Sequence, residues 1–171
     1  MRKAPLIILF AFIVFKGNAQ QKAVEDSTLI ILKYITEDAI KEFINLRGKQ
    51  ITEDSLALTY NSNLPVPHTT GNTISVFKDT SRIFQPIFFA MVDSNKTEMQ
   101  ADILTRDWKR KLNHIWEGEY NTKYDYRKFG GADFFYYSLI KGDYQWWVQA
   151  NKQNDTLLWK VLIILYRIKE E

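Results

Sequence analysis

Apolar and polar positions change their pattern three times along the chain. Residues 4–15 are apolar without a break, preceded by Arg2-Lys3 and followed by Lys16-Gly17-Asn18-Ala19 and two glutamines. A basic head, a short greasy middle and small residues before a cut are the layout of a secretory signal peptide. Twelve residues are too few to cross the hydrocarbon of a bilayer as a helix, which takes roughly 20. The expectation is removal of 1–19 by cleavage near Ala19, leaving 20–171 as a single exported domain, periplasmic or extracellular, with no membrane span in its mature form.

From Val24 to Leu46 the apolar positions are spaced with polar breaks, which predicts a helix with Gly48 just past its end. Thr36-Glu37-Asp38 could cap a second helix inside this stretch, with Ile40, Phe43 and Ile44 turned to the core. The run 59–73 holds Pro65, Pro67 and Gly71, which predicts a long irregular loop.

Beyond residue 73 the pattern becomes β-like. Strands are predicted over 74–77, 87–92 and 97–104, the last two joined by a turn at Asp93-Ser94-Asn95-Lys96, with Met99, Ala101 and Ile103 facing inward. Leu104, Trp108, Leu112 and Ile115 then follow a helical stripe that Gly118 would stop. Strands over 132–140, 144–150 and 157–168 complete the chain, with turns at Lys141-Gly142-Asp143 and 151–155. The last is apolar on both faces and is expected at the centre of the sheet, with a buried helix as the competing assignment. The fold class is therefore α+β: an N-terminal helix or helix pair and a mid-chain helix, packed on a curved antiparallel sheet built mainly by the C-terminal half. No sequence repeat or linker divides it.

Charge modifies this picture little. The full chain has 23 basic and 20 acidic residues. Loss of Arg2, Lys3 and Lys16 brings the mature chain to charge balance, so no net field favours a polyanion, and nucleic acid is not an expected partner. The basic side chains of the mid-chain helix, Arg106, Lys109, Arg110 and Lys111, are expected to form a solvated face. There is no cysteine, which removes thiol nucleophiles, thiolate metal sites, disulfides and a lipidated cysteine. Asn95-Lys96-Thr97 and Asn154-Asp155-Thr156 are glycosylation triplets only in a eukaryotic source.

Candidate chemistry is sparse. His114 and Glu117 are three apart on a helix, a spacing that can pair a general base with its orienting carboxylate. The competing assignment for His114 is a hydrogen-bonded histidine at the core edge, and for His68 a plain loop residue. No nucleophile elbow, phosphate loop, calcium loop or zinc spacing occurs, so no metal or cofactor is implied. Aromatic residues, 15% of the chain, instead concentrate after residue 115. Tyr124, Tyr126, Tyr136, Trp146 and Trp147, with His68 from the loop, are the candidate ligand-binding set. Because neighbours on a strand point to opposite faces, Trp146 and Trp147 must separate, one to the core and one away from it. The expected function is a non-catalytic exported binding or interaction module with an aromatic-lined groove for a glycan, a peptide or another exported protein. A hydrolase using His114 and Glu117 in a concave pocket is the alternative.

Overall fold

The computed structural model describes residues 27–79, 86–115, 121–129, 132–153 and 156–167, with the main chain alone for 121–129, 132 and 141. Helix α1 (27–39) leads into β1 (Arg47–Glu53), β2 (Ala57–Ser62), β3 (Thr70–Phe77) and β4 (Ile87–Lys96). Helix α2 (Glu98–Ile115) leads into β5 (Asn121–Phe129), β6 (Ala132–Lys141), β7 (Tyr144–Lys152) and β8 (Trp159–Arg167). All eight strands form one curved, unclosed sheet in the order β1-β2-β3-β4-β8-β7-β6-β5, antiparallel at every junction.

That order reads the same when the halves are exchanged. Each half is a helix followed by a four-strand meander, and the halves meet at β4 and β8. Equivalent strands start at nearly constant spacing: Arg47 and Asn121, Ala57 and Ala132, Thr70 and Tyr144, Ile87 and Trp159. The repeat lies in the topology, with no matching repeat in the residues.

Both helices supply the core on one face of the sheet. Leu32, Ile35 and Ala39 of α1, with Phe43 and Leu46 after it, and Ala101, Trp108 and Leu112 of α2 meet Ile74, Phe88, Ala90, Phe135, Leu139, Trp146, Val148, Val161, Ile163 and Leu165. β8 lies at the centre between β4 and β7, as its two-sided apolar pattern requires. Leu157, placed at the start of that strand by its apolarity, is outside it and exposed.

Several elements differ from their sequence expectation, each for a local reason. Thr36 is interior to α1 and caps nothing; its hydroxyl donates to the Leu32 carbonyl at 2.8 Å and accepts the Trp146 indole N–H at 3.1 Å. The helix ends after 39, and Asp38 organises the reversal. Its carboxylate accepts from the Asn45 main-chain N–H (3.2 Å) and side-chain amide (2.5 Å), while its carbonyl accepts from Phe43 N–H. Glu42 and Phe43 adopt left-handed φ of 56° and 58°, a strained pairing offset by burial of the Phe43 ring. Ile40 and Ile44 are exposed at 66% and 62% rather than turned inward. Gly48 is inside β1, where a Cβ would come within 2.5 Å of Asn63 Oδ1 and 2.9 Å of the Asn61 carbonyl; close approach to β2, not a helix end, requires glycine there.

The run 59–73 is mostly sheet, because β2 and β3 extend into it and only 63–69 connects them. That connection is anchored: Val66 is buried, its N–H donates to Asn72 Oδ1 at 2.9 Å, and Thr69 Oγ1 donates to the Val66 carbonyl at 2.7 Å. Residues 97–104 belong to α2 and not to a hairpin. Thr97 and Gln100 form a reciprocal capping box, Thr97 N–H to Gln100 Oε1 (3.0 Å) and Gln100 N–H to Thr97 Oγ1 (3.3 Å). Met99 and Ile103 are consequently exposed while Ala101 is buried. Gly118 and residues 154–155 lie outside the described residues, as does 1–26.

Candidate functional site

Strand alternation gives the sheet a second face, and among the described residues no helix packs on it. One row crosses six strands by register: Ser138 on β6, Trp147 on β7, Ile164 on β8, Phe89 on β4, Thr73 on β3 and Asn61 on β2. The adjoining row runs Tyr136, Gln149, Leu162 and Met91. Ile87, Ile164 and Tyr166 form a small buried cluster there, with Phe77, Phe89, Trp147 and Leu162 half-buried around it.

The aromatics of this face stack on one another. Tyr136 and Trp147 lie nearly parallel with centroids 4.6 Å apart, Tyr166 meets Trp147 edge-on at 5.6 Å, and Phe134 stacks on Tyr136 at 6.2 Å. Contacts of this kind add to the area they bury and fix ring orientation. Beneath them runs a buried polar chain: the Tyr166 hydroxyl donates to Gln145 Oε1 at 2.6 Å, and Gln145 Nε2 donates to the Ser138 hydroxyl. Burial pushes the Tyr166 phenol well above the usual tyrosine range, so it stays a neutral donor. The Trp147 indole N–H is buried and has no hydrogen-bond partner among the described residues. Such an orphan donor costs about 1–3 kcal/mol that an incoming acceptor would recover. Nearer the rim, Gln149 Nε2 donates to Asn151 Oδ1 at 2.5 Å, and Thr59 and Ser75 share a hydroxyl hydrogen bond.

The sequence-predicted residues divide among several places. Trp146, 1% exposed, sits in the main core, edge-on to Phe88 at 6.3 Å and bonded to Thr36, and takes no part in the open face. Trp147 is half-buried on the other face with Tyr136 against it. The adjacent tryptophans thus separate as the strand period dictates. Tyr124 and Tyr126 are on β5, paired with Tyr137 and Phe135, whose side chains belong to the helix-side core. His68 is exposed at a left-handed φ of 59° in the 63–69 connection. His114 is exposed in the last turn of α2, while Glu117 lies outside the described residues.

The basic face of α2 is locally partnered. Arg106 pairs with Asp102 at 2.9 Å and Arg110 with Asp107. Lys109 lies over the Tyr137 ring and Lys111 over Trp108, each at 4.7 Å. An open groove beside the start of α2, lined by Glu98, Met99, Asp102, Arg106 and Phe135, holds that Arg106–Asp102 pair. Among the described residues there is no cluster of three metal-ligating side chains, and no helix long and apolar enough to cross a membrane.

Sequence reasoning passes over Phe77, Phe89, Met91, Leu162, Ser138 and Gln145. A signal is present in Ile87-Phe88-Phe89-Ala90-Met91, which is apolar at both parities and so serves two faces. No family model, no curated protein and no solved structure matches the chain.

Proposed function

We propose that the protein is a non-catalytic, exported interaction module that recognises another exported protein through the helix-free face of its sheet. The observation that carries this reading is the half-buried apolar set Phe77, Phe89, Met91, Leu162, Trp147 and Phe134, spread over five strands with no helix upon it among the described residues. Partly exposed apolar side chains that adjoin one another across several strands are the kind of surface a partner covers. Aromatic and methionine side chains are also the types enriched at the centres of protein interfaces. The rings are spent on one another, with Tyr136 itself buried, which favours a protein surface over a sugar needing a bare ring face. The hydrolase alternative has no described contact in its favour, since His114 is exposed at a helix end.

A photo-crosslinking residue at position 162 tests the reading, with one at Arg110 on the solvent side of α2 as control. The expected result is a defined exported protein captured from position 162, absent from position 110, and lost when Phe89→Lys is added to a folded variant. Equal capture from both positions, or none from 162, contradicts it. Trp147→Ala is expected to weaken capture while keeping the native circular dichroism. Trp146→Ala removes a core ring and is expected to cost about 3–5 kcal/mol of stability, read by urea unfolding.

A further inference from the structure

We propose that β5 is a docking edge for a second copy of the chain, joined antiparallel about Tyr126. The sheet has two ends, and they are built differently. β1 carries register irregularities between Arg47 and Gln50 and again between Gln50 and Thr52, which blunt it as a template. β5 pairs with β6 in unbroken register from Asn121↔Ile140 to Phe129↔Ala132, and among the described residues no strand lies on its outer side. A regular nine-residue strand in that position presents a row of main-chain donors and acceptors ready for another strand.

The residue order along β5, Asn-Thr-Lys-Tyr-Asp-Tyr-Arg-Lys-Phe, says which strand fits. In the register with β6, Asp125 and Arg127 stand opposite Tyr136 and Phe134. When two copies pair antiparallel about Tyr126, Asp125 of each falls opposite Arg127 of the other, twice by symmetry. Tyr124 falls opposite Lys128, also twice. Pairing centred on Asp125 would oppose Asp to Asp and Lys123 to Arg127, which charge disfavours. Pairing centred on Tyr124 would set Asp125 opposite Lys123 but leave Arg127 opposite Asn121, so the response to substitution of Arg127 separates it from the proposed register. The contact is isologous, as a two-fold dimer requires. Its axis runs perpendicular to the sheet, which leaves both helix layers on one side and both helix-free faces open on the other. A contact confined to one strand edge is small, so the dimer is reversible and concentration-dependent.

Sedimentation of the purified protein over a concentration series tests this. The expected result is a monomer–dimer equilibrium that weakens as salt is raised. Arg127→Asp and Asp125→Arg, each alone, place like charges opposite one another and are expected to weaken self-association about tenfold. Mixed in equal amounts, the two variants are expected to restore association as a heterodimer, because one strand is then acidic and the other basic at both 125 and 127, and both cross-strand pairs join opposite charges. A strict monomer into the millimolar range overturns the proposal; the β5 charges then only guard the edge. A dimer indifferent to salt and to both substitutions places the contact elsewhere and also overturns it. Failure of the mixture to associate better than either variant alone, with both native by circular dichroism, does the same.

Discussion

Adjacent side chains in this protein do unlike work. Trp146 closes the core beneath α1 while Trp147 sits on the helix-free face, and the period of a strand makes that separation legible in the residue order alone. Which tryptophan goes inward is not legible there, because it depends on Thr36, distant in sequence, offering its hydroxyl to the Trp146 indole. Thr36 itself resembles a cap since threonine favours that role; here its second hydrogen bond goes back to Leu32 and keeps it inside the helix. Thr97 is the true cap. Thr97→Ala is expected to lower stability by about 1 kcal/mol, read from the urea midpoint, with little change in the denaturant slope. Tyr166 gives a pH prediction. Burial raises its folded pKa above the unfolded value near 10.0, so its contribution is intact below that pH and declines as pH rises beyond it. The parent chain is expected to lose stability more steeply above about pH 10 than Tyr166→Phe, which has no proton to lose. At neutral pH the same variant is less stable by about 1–2 kcal/mol, because Gln145 loses its hydrogen-bond donor. Equal slopes for the two chains in alkali would contradict the buried setting of the phenol.

At the level of elements, the central strands are readable from the residues and the outer ones are not. β6, β7 and β8 bury one or both faces and carry apolar residues in proportion. β1, Arg-Gly-Lys-Gln-Ile-Thr-Glu, is exposed over most of its length and has almost no apolar alternation to detect. β5 is interleaved with Lys123, Asp125, Arg127 and Lys128, so it reads as an aromatic stretch rather than as a strand. α2 is half legible. The alternation of Met99, Ala101 and Ile103 mimics a strand, and the decisive sign is the Thr97-x-x-Gln100 capping box, which commits the chain to a helix one residue after β4 ends. Amide hydrogen exchange is expected to follow the same ordering. β4, β8 and β7, paired on both sides, should exchange slowest, and β1 fastest. Fast exchange in β8 would contradict its central place.

The whole molecule is two helix-and-meander halves sharing one sheet and one core. Leu32, Ile35 and Phe43 of the first half pack into the same cluster as Trp146, Val148 and Ile163 of the second. Neither half is therefore expected to fold when expressed by itself, and unfolding of the full chain is expected as one cooperative transition. The fold class is legible in the sequence because apolar patterning reports burial. The repeated topology is hidden because the two halves use different residues to meet the same demands. The binding reading is legible only in outline: an aromatic surplus points to the β7 neighbourhood, whereas the face also draws on Phe77, Phe89 and Met91, whose single positions look like ordinary core residues.

The most direct measurement is hydroxyl-radical footprinting of the protein, read residue by residue by mass spectrometry. Modification is expected at Phe89, Met91, Leu162, Trp147 and Phe134, with Trp146, Phe88 and Phe135 protected. Protection of both sets alike would mean that the second face is closed within the chain itself, and would contradict an open docking surface.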